Sequence, residues 1–260
     1  MRSRSLSLSA AVLGFLALVS GGARATVILT AAGTPYTENF DTIANTGTSS
    51  ALPAGWLISE SGTNANTTYA ADSGSSNAGN TYSYGSVGST DRALGGLQSG
   101  SLNPTIGAGF TNQIGVPITM LTISYTGEEW RLGVAGRPDS LSFQYSLDAT
   151  GLTDGSWISV AALNFDSPDT VGFAGARDGN SSSDRTGISA AITGLDIASG
   201  QSFFLRLVDF NATGADDGLA VDDFQLTPTV VPEPEVWSMM ILGFAALAAA
   251  KGPRRGARGG

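Results

Sequence analysis

The feature that most constrains this chain is a strict alternation of apolar and polar residues in short runs. The clearest run extends from Ser140 to Leu147, where Leu141, Phe143 and Tyr145 alternate with Ser and Gln. Successive side chains of a β-strand point to opposite faces, so a period of two predicts a strand with one buried face. Further segments of strand character lie near Val27 and over Trp56–Ser59, Leu121–Tyr125, Ile158–Val160, Phe203–Leu207 and Leu219–Leu226.

The composition agrees with an all-β fold. Glycine accounts for 35 of the 260 residues and only 13% are charged, which disfavours long helices with Glu and Lys pairs. About ten short strands, separated by turn residues and without a fixed repeat, predict one two-sheet antiparallel β-sandwich, jelly-roll-like, over residues 26–231. A signal helix is expected before this domain and a short transmembrane helix after it.

Residues 1–25 have the three-part order of a secretory signal peptide. Arginines at positions 2 and 4 precede a mostly apolar stretch, and Ala23-Arg24-Ala25 forms a small-x-small cleavage site. We therefore expect export by the secretion machinery, cleavage by signal peptidase and a mature protein that begins at Thr26. An uncleaved anchor is the alternative, but the apolar stretch is shorter than the roughly 20 residues that a membrane span needs.

The C-terminal segment, residues 232–260, has the character of a membrane tail. Pro232-Glu233-Pro234 is followed by an uncharged apolar run from Val236 to Ala250 and then by four basic residues. Basic residues after an apolar helix stay in the cytoplasm, so the domain before it faces the periplasm. The run would give about 22 Å of helix, less than the ~30 Å hydrocarbon core. Such a marginal span suits a transient anchor in the inner membrane.

The tail resembles the PEP-CTERM sorting signal, in the subclass that reads P-E-P-x-x-W-A-M-M-I-x-G-F. Here the sequence runs from Pro232-Glu233-Pro234 through Trp237 to Phe244, with Ser238 where Ala is usual and a final tail padded with Gly and Pro. The resemblance implies recognition by an exosortase, a membrane-embedded cysteine-protease-like enzyme of Gram-negative bacteria that make exopolysaccharide. Cleavage near the motif and delivery to the cell surface or the extracellular space would follow. In that case Pro232, Glu233, Pro234 and Trp237 are substrate residues and not catalytic ones.

Two absences and the net charge exclude several function classes. The chain has no cysteine and no histidine, which removes Ser-His-Asp and Cys-His catalysis and the usual zinc ligands. Residues 26–231 contain six arginines and no lysine against 20 acidic residues, a net charge of −14. This charge repels nucleic acid and leaves divalent cations or neutral glycans as ligands.

Oxygen-bearing side chains are concentrated near the end of the domain, in the sequence from Asp209 to Gly218. Their alternating positions before a glycine turn favour a structural calcium ion, although Ala220 stands where a helix-loop-helix calcium loop has glutamate. A solvated turn is the alternative. The domain also resembles secreted bacterial jelly rolls that open with E-N-F-D and L-P-x-G-W and close with V-D-D-F, which implies that residues of the first and last strands join the site. The candidate ligands are Glu38, Asp41, Asp209, Asn211, Asp216, Asp217, Asp222 and Asp223.

A carboxylate pair and several aromatic residues suggest further roles. Glu128 and Glu129 could act as a glycosidase acid and base, but neighbours on a strand face opposite ways, so a partner such as Glu60 or Asp91 would be needed. The following aromatic residues could stack on sugar rings: Trp56, Tyr82, Tyr84, Trp130 and Trp157. We expect Trp56 and Trp157 to be buried in the core.

Three hypotheses follow. The first is a non-enzymatic envelope or matrix protein, structural or adhesive in the exopolysaccharide layer. The second is a carbohydrate-binding module with structural calcium, and the third is an exopolysaccharide hydrolase that uses carboxylates alone.

Overall fold

The computed structural model describes residues 25–231, which form two facing β-sheets and one 3₁₀ turn over Ala161–Leu163. The predicted signal helix, sorting motif and membrane tail lie outside the described residues, except for Ala25. The first sheet contains β1 (Val27–Leu29), β4 (Trp56–Ser61), β8 (Asn103–Asn112), β10 (Ser140–Ser146), β11 (Ile158–Ser159), β12 (Phe165–Asp166) and β15 (Ser202–Asp209). The second contains β2 (Tyr36–Glu38), β3 (Thr48–Ser49), β5 (Tyr69–Asp72), β6 (Asn80–Tyr84), β7 (Ala93–Leu97), β9 (Ile118–Leu132), β13 (Gly175–Ala176), β14 (Arg185–Ile197) and β16 (Gly218–Val230).

The prediction of an all-β sandwich is confirmed, but the sheets are mixed and not purely antiparallel. In the first sheet β8 pairs antiparallel with β4 and, further along the same edge, parallel with β1. In the second, β5 and β6 are parallel. The loop that joins them crosses over, so that β6 runs in the same direction as β5. Its Gly74 lies so close to β9 that a side chain there would collide with the carbonyl oxygen of Trp130. Between residues 25 and 231, no helix is long and apolar enough to cross a bilayer.

The main core lies between the two sheets and is rich in aromatic rings. Phe110 stacks on Phe203, while Trp56 meets Phe40 and Phe224 edge-on. The alternation that identified β10 is confirmed, because its residues 141 and 143 are buried in this core and residues 145 and 147 pack against it. The inward faces of the two sheets therefore bury the apolar half of each strand.

A β-bulge in β16 decides which side chains reach this core. Leu219 and Val221 face inward, and the register with β9 then shifts between Asp222 and Gln225. Within the bulge Asp223 has a φ of 49°, which is unusual for a residue other than glycine. After the shift Phe224 is the next residue in the core, so Asp222 lies on the outer face of the second sheet.

The long strands β9 and β16 run the length of the domain. At one end Val230 pairs with Ile118, and at the other Gly218 pairs with Arg131. We call the first end the tail pole and the second, formed by loops 133–139, 167–177 and 210–217, the acidic pole. The 13 residues of β16 correspond to about 40 Å at ~3.3 Å per residue, which separates the two poles.

Replacing Phe110 with alanine tests the aromatic core. Phe110 is fully buried, whereas Phe173 is 94% exposed. Phe110→Ala should lower the free energy of unfolding by about 3–5 kcal/mol because it leaves a cavity, and the same change at Phe173 should alter it by less than about 0.5 kcal/mol. Denaturant unfolding of the full chain in mild detergent measures both. Equal losses in the two variants would contradict this account of the core.

Candidate functional site

Four carboxylates face inward at the acidic pole, and we call them the acidic layer: Glu129, Asp139, Asp209 and Asp217. Asp209 continues the inward face of β15, and Glu129 pairs with the inward residue Leu219. All four side chains are buried. The layer therefore closes the space between the sheets at the point where the apolar core ends.

Backbone amides hold these carboxylates in place. Asp217 accepts a hydrogen bond from the Gly133 amide at 2.6 Å, and its own amide donates to Asp139 Oδ2 at 2.8 Å. Asp209 Oδ2 accepts from the Gln98 amide at 3.1 Å, although the two residues are far apart in the chain. Glu129 Oε2 accepts from the Asp169 amide at 2.9 Å. These bonds connect both sheets and two of the pole's loops through the acidic layer.

Burial and mutual repulsion make these carboxyl groups weak acids. Burial raises the pKa of Glu129 to about 8, with the charges of Asp217 and Asp169 adding to the effect. Burial also raises the pKa of Asp209 far above its ordinary value, and Asp139 adds repulsion. The neighbouring Asp216 has its pKa raised to about 6 by the same causes. These carboxyl groups therefore keep their protons to a higher pH than free carboxyl groups do.

Arg137 is the arginine nearest to the centre of the layer. Its Nη1 atom lies 3.5 Å from Asp139 Oδ2 and 3.9 Å from Asp217 Oδ2. Its remaining nitrogens donate to the carbonyl oxygens of Thr213 and Ala215 in the neighbouring loop. One guanidinium therefore offsets only part of the negative charge and also fixes the loop that follows β15.

A second acidic group lies on the outer face of the second sheet. Glu128 accepts a hydrogen bond from the Trp130 indole at 2.8 Å, and Asp222 accepts one from the Asp223 amide at 2.7 Å. Burial raises the pKa of Glu128 to about 7 and that of Asp222 to about 8, and the charge of Asp91 adds to both shifts. Both side chains are nearly inaccessible, so they form a buried polar patch and not an open cleft.

The eight residues predicted to bind calcium lie in three places. Asp209, Asp216 and Asp217 come together at the acidic pole, while Asn211 is exposed in the loop between them. Asp222 belongs to the outer-face group, and Asp41 accepts the amide of Arg92. Glu38 and Asp223 line one open cavity of about 640 Å³ beside the bulge. In residues 25–231, no three acidic side chains form a ready-made metal site.

Sequence reasoning missed three members of the acidic pole. Asp139, Glu129 and the side chain of Gln98 join it from positions 70 to 111 residues before Asp209. Asp139 did carry a signal, because it extends the alternation of Leu141 and Phe143 to an inward position at the start of β10. The position of Gln98 follows only from the pairing of β7 in the second sheet.

The expected orientation of the carboxylate pair is confirmed. Glu128 lies level with Ala220 on the outer face and Glu129 level with Leu219 on the inner face. Glu60, a candidate catalytic partner for this pair, points between the sheets. Its Oε1 accepts hydrogen bonds from both the backbone amide and the hydroxyl of Thr81. A substrate has no access to Glu128 or Glu129, since both side chains are at most 2% exposed.

Most of the candidate sugar-stacking residues are buried. Trp56 is in the main core, as predicted, and Tyr82, Tyr84 and Trp130 form a second cluster on the outer face of the second sheet. Trp157 is only partly buried, which differs from the expectation. The Arg206 guanidinium lies 3.9 Å from its ring centre, so this indole is held on the surface by a cation–π contact and not by the core.

The loops of the acidic pole expose apolar side chains. Val134, Val171, Phe173 and Phe210 are all at least 36% exposed. Hydrogen bonds join the loops that carry them, for example from the Gly136 amide to the Thr170 carbonyl and from the Phe210 amide to the Ser140 carbonyl. This apolar rim therefore lies over the buried acidic layer.

No family model and no curated protein matches the chain. Forty-five solved chains are similar in structure. One is TmCBM61 in complex with β-1,4-galactotriose, with a TM-score of 0.34 and 13% identity over 66% of this chain and 88% of that one. A family 35 carbohydrate-binding module from Clostridium thermocellum has a TM-score of 0.32 and 9% identity over 74% and 97%. The K3 cleaved adhesin domain of Lys-gingipain from Porphyromonas gingivalis w83 has 0.35 and 8% over 74% and 91%.

The outer-face acids give a prediction about pH. The folded state raises the pKa of Glu128 from 4.5 to about 7 and that of Asp222 from 3.8 to about 8. The folded protein therefore holds protons that the unfolded chain has lost, and stability falls as the pH rises from about 4 to about 8. Glu128→Gln or Asp222→Asn should raise the free energy of unfolding by about 1–3 kcal/mol at pH 8 and change it little at pH 4.

Denaturant unfolding between pH 4 and pH 8 in the presence of chelator measures this effect. Asp196→Asn is the matched control, because it removes one negative charge from an exposed position of β14. A pH slope that is the same in Asp222→Asn as in the parent chain would show that these acids do not store protons.

Proposed function

We propose that this protein is an exported, non-enzymatic surface protein that is sorted through its C-terminal tail and adheres to the exopolysaccharide layer through its acidic pole. In this proposal signal peptidase and the secretion machinery deliver it, the inner membrane holds it transiently and an exosortase processes it. The observation that carries the proposal is the course of β16. This strand starts at the acidic pole and ends at Val230, two residues before Pro232.

The course of β16 supports display of the loops away from the membrane. The described chain ends at the tail pole, one residue after β16, and the predicted sorting motif is the next segment of the sequence. The loop after the N-terminal strand β1 also lies near this pole, because the backbone amide of Gly33 donates to the Pro228 carbonyl at 2.8 Å. An anchored domain would then present the acidic pole about 40 Å from its attachment point.

The acidic pole has the properties of a binding surface. Arg137 and Arg177 bond to several loop carbonyls, and Arg177 pairs with Asp169 at 2.5 Å. Ordered loops lose little entropy on binding. Aromatic faces such as those of Phe173 and Phe210 pack against the apolar face of a pyranose ring, and exposed apolar patches on a soluble domain mark interaction sites.

A carbohydrate-binding site on the first sheet is the second candidate. Trp157 is partly exposed beside Arg206, and the Arg206 Nε donates to the side-chain oxygen Oε1 of Gln144 at 2.8 Å. An indole flanked by hydrogen-bonding groups is a common sugar platform. Hydrolysis is disfavoured, because Glu128 and Glu129 are buried.

Changing the sorting motif tests the role of the tail. Glu233→Ala should retain the full-length protein in the inner membrane, because Glu233 belongs to the P-E-P motif, while the native chain should lose its tail and leave that membrane. Glu235→Ala is the matched control, since position 235 is variable in the motif. Membrane fractionation with mass spectrometry of both termini measures the outcome, with Thr26 as the expected first residue. Identical distribution of both variants would contradict exosortase sorting.

Changing the exposed aromatic side chains tests adhesion. Phe173→Ser with Phe210→Ser should reduce retention of the protein on bacterial exopolysaccharides at least about tenfold, since aromatic anchors carry much of such binding energy. Val87→Ser, at a residue that is 92% exposed elsewhere, should leave retention unchanged. Loss of retention in Trp157→Ala alone would instead favour the site on the first sheet. Release of reducing ends by the native protein would contradict a non-enzymatic role.

A further inference from the structure

Buried oxygen atoms without hydrogen-bond partners accumulate at the acidic pole. The described residues contain five buried side-chain polar atoms that lack a partner, and all five are oxygens. Four of them belong to Gln98, Glu129, Asp209 and Asp217. A buried acceptor without a partner is costly, and four such oxygens in one region favour a positively charged ligand there.

The charges at this pole lead to the same conclusion. Asp139, Asp209, Asp216 and Asp217 are at most 7% exposed. Arg137 contributes one positive charge to this group, and Arg177 is already paired with Asp169. Carboxylates removed from water need a proton, an ion pair or a metal. The unpartnered atoms are oxygens with free lone pairs, and a cation binds to such atoms.

We propose that Asp209, Asp217 and Gln98 bind a hard divalent cation, Ca²⁺, between the two sheets. Asp209 Oδ1, Asp217 Oδ2 and Gln98 Oε1 are the unpartnered atoms that supply the ligands. No three acidic side chains of the described region form a metal site on their own, and this site uses two carboxylates and one amide. Calcium accepts amide, backbone carbonyl and water oxygens beside carboxylates, with flexible geometry.

The neighbouring groups position these ligands. The other oxygen of Asp209 accepts a hydrogen bond from the backbone amide of Gln98, which holds residue 98 next to this carboxylate. The other oxygen of Asp217 accepts the amide of Gly133, and the Asp217 amide is fixed by Asp139. Each carboxylate thus uses one oxygen for a backbone amide. The second oxygen of Asp209 has no hydrogen-bond partner, and that of Asp217 lies 3.9 Å from Arg137 Nη1, beyond hydrogen-bond distance.

The chemistry of the donors selects the metal. Every donor is oxygen, and the chain contains no histidine or cysteine. Such a set suits calcium, whereas zinc and copper prefer nitrogen and sulfur. Magnesium demands strict octahedral geometry and keeps much of its water, which an enclosed site with mixed donors provides poorly.

Calcium binding would link the two sheets in a chain that has no cysteine and therefore no disulfide. Asp209 ends β15 in the first sheet, while Asp217 precedes β16 and Gln98 follows β7 in the second. The same ion would close the loop 210–217, which carries Phe210. Its effect on stability is independent of whether the acidic pole binds polysaccharide.

Calcium titration of the full chain in mild detergent tests the proposal. We expect one ion per chain by isothermal titration calorimetry. We also expect the melting temperature to rise with free Ca²⁺ and fall in chelator, because a ligand that binds only the folded state stabilises it by mass action. Mg²⁺ at equal concentration should have a smaller effect. A native chain that binds no Ca²⁺ at millimolar concentration, with the same melting temperature in chelator, would overturn the proposal.

Variants locate the site. Asp217→Asn and Asp209→Asn should abolish the calcium-dependent rise in melting temperature, and Asp222→Asn, on the outer face, should retain it. Gln98→Ala keeps both carboxylates and should weaken calcium binding about tenfold, which provides a decision if the Asp variants fail to fold. Loss of calcium binding in Asp222→Asn together with full binding in Gln98→Ala would also overturn the proposal.

Discussion

The pairing of β16 with β9, and above all the bulge between Asp222 and Gln225, determines most of what this domain presents. Before the bulge, Leu219 and Val221 share the inward face, and after it Phe224 and Leu226 do so. One additional residue in the strand therefore keeps these four apolar residues in the core and leaves Asp223 exposed. A continuous strand would place Asp223 in the apolar core beside Trp56, where its charge would be unpaired. The left-handed backbone at Asp223 is the cost of avoiding this.

The all-β class and the inward residues of individual strands could be predicted from the sequence because each depends on a local period. Leu141 and Phe143 in β10 and Leu205 and Leu207 in β15 are core residues, as their alternation indicated. The bulge could not be predicted, since Val221-Asp222-Asp223-Phe224 fits either register. The two parallel pairings were also unpredictable, because they depend on how loops cross the sheets and not on the strands that they join.

The candidate site shows the same division between local and long-range information. The grouping of Asp209 with Asp216 and Asp217 followed from one short loop. The resemblance to other jelly rolls predicts Glu38 and Asp41 at the same site, but Glu38 ends β2 and Asp41 follows it. Calcium binding by these two residues stays a prediction. Gln98 reaches Asp209 only because β7 and β15 end at the same pole, and no pattern within either strand indicates this.

The two acidic groups illustrate how position within a sandwich changes the role of a buried carboxylate. Glu128 has a donor in the Trp130 indole and lies under the loops that cover the outer face, so a proton satisfies it without further ligands. Asp209 and Asp217 have amide donors for one oxygen each and a second oxygen without a hydrogen bond, which in Asp217 lies 3.9 Å from Arg137 Nη1. They also lie where two sheets and a surface loop meet. Neutralising charge there links separate parts of the chain, whereas neutralising it on the outer face stabilises one sheet alone. The acidic layer is therefore the place where a ligand would have the greatest influence on the loops that the domain displays.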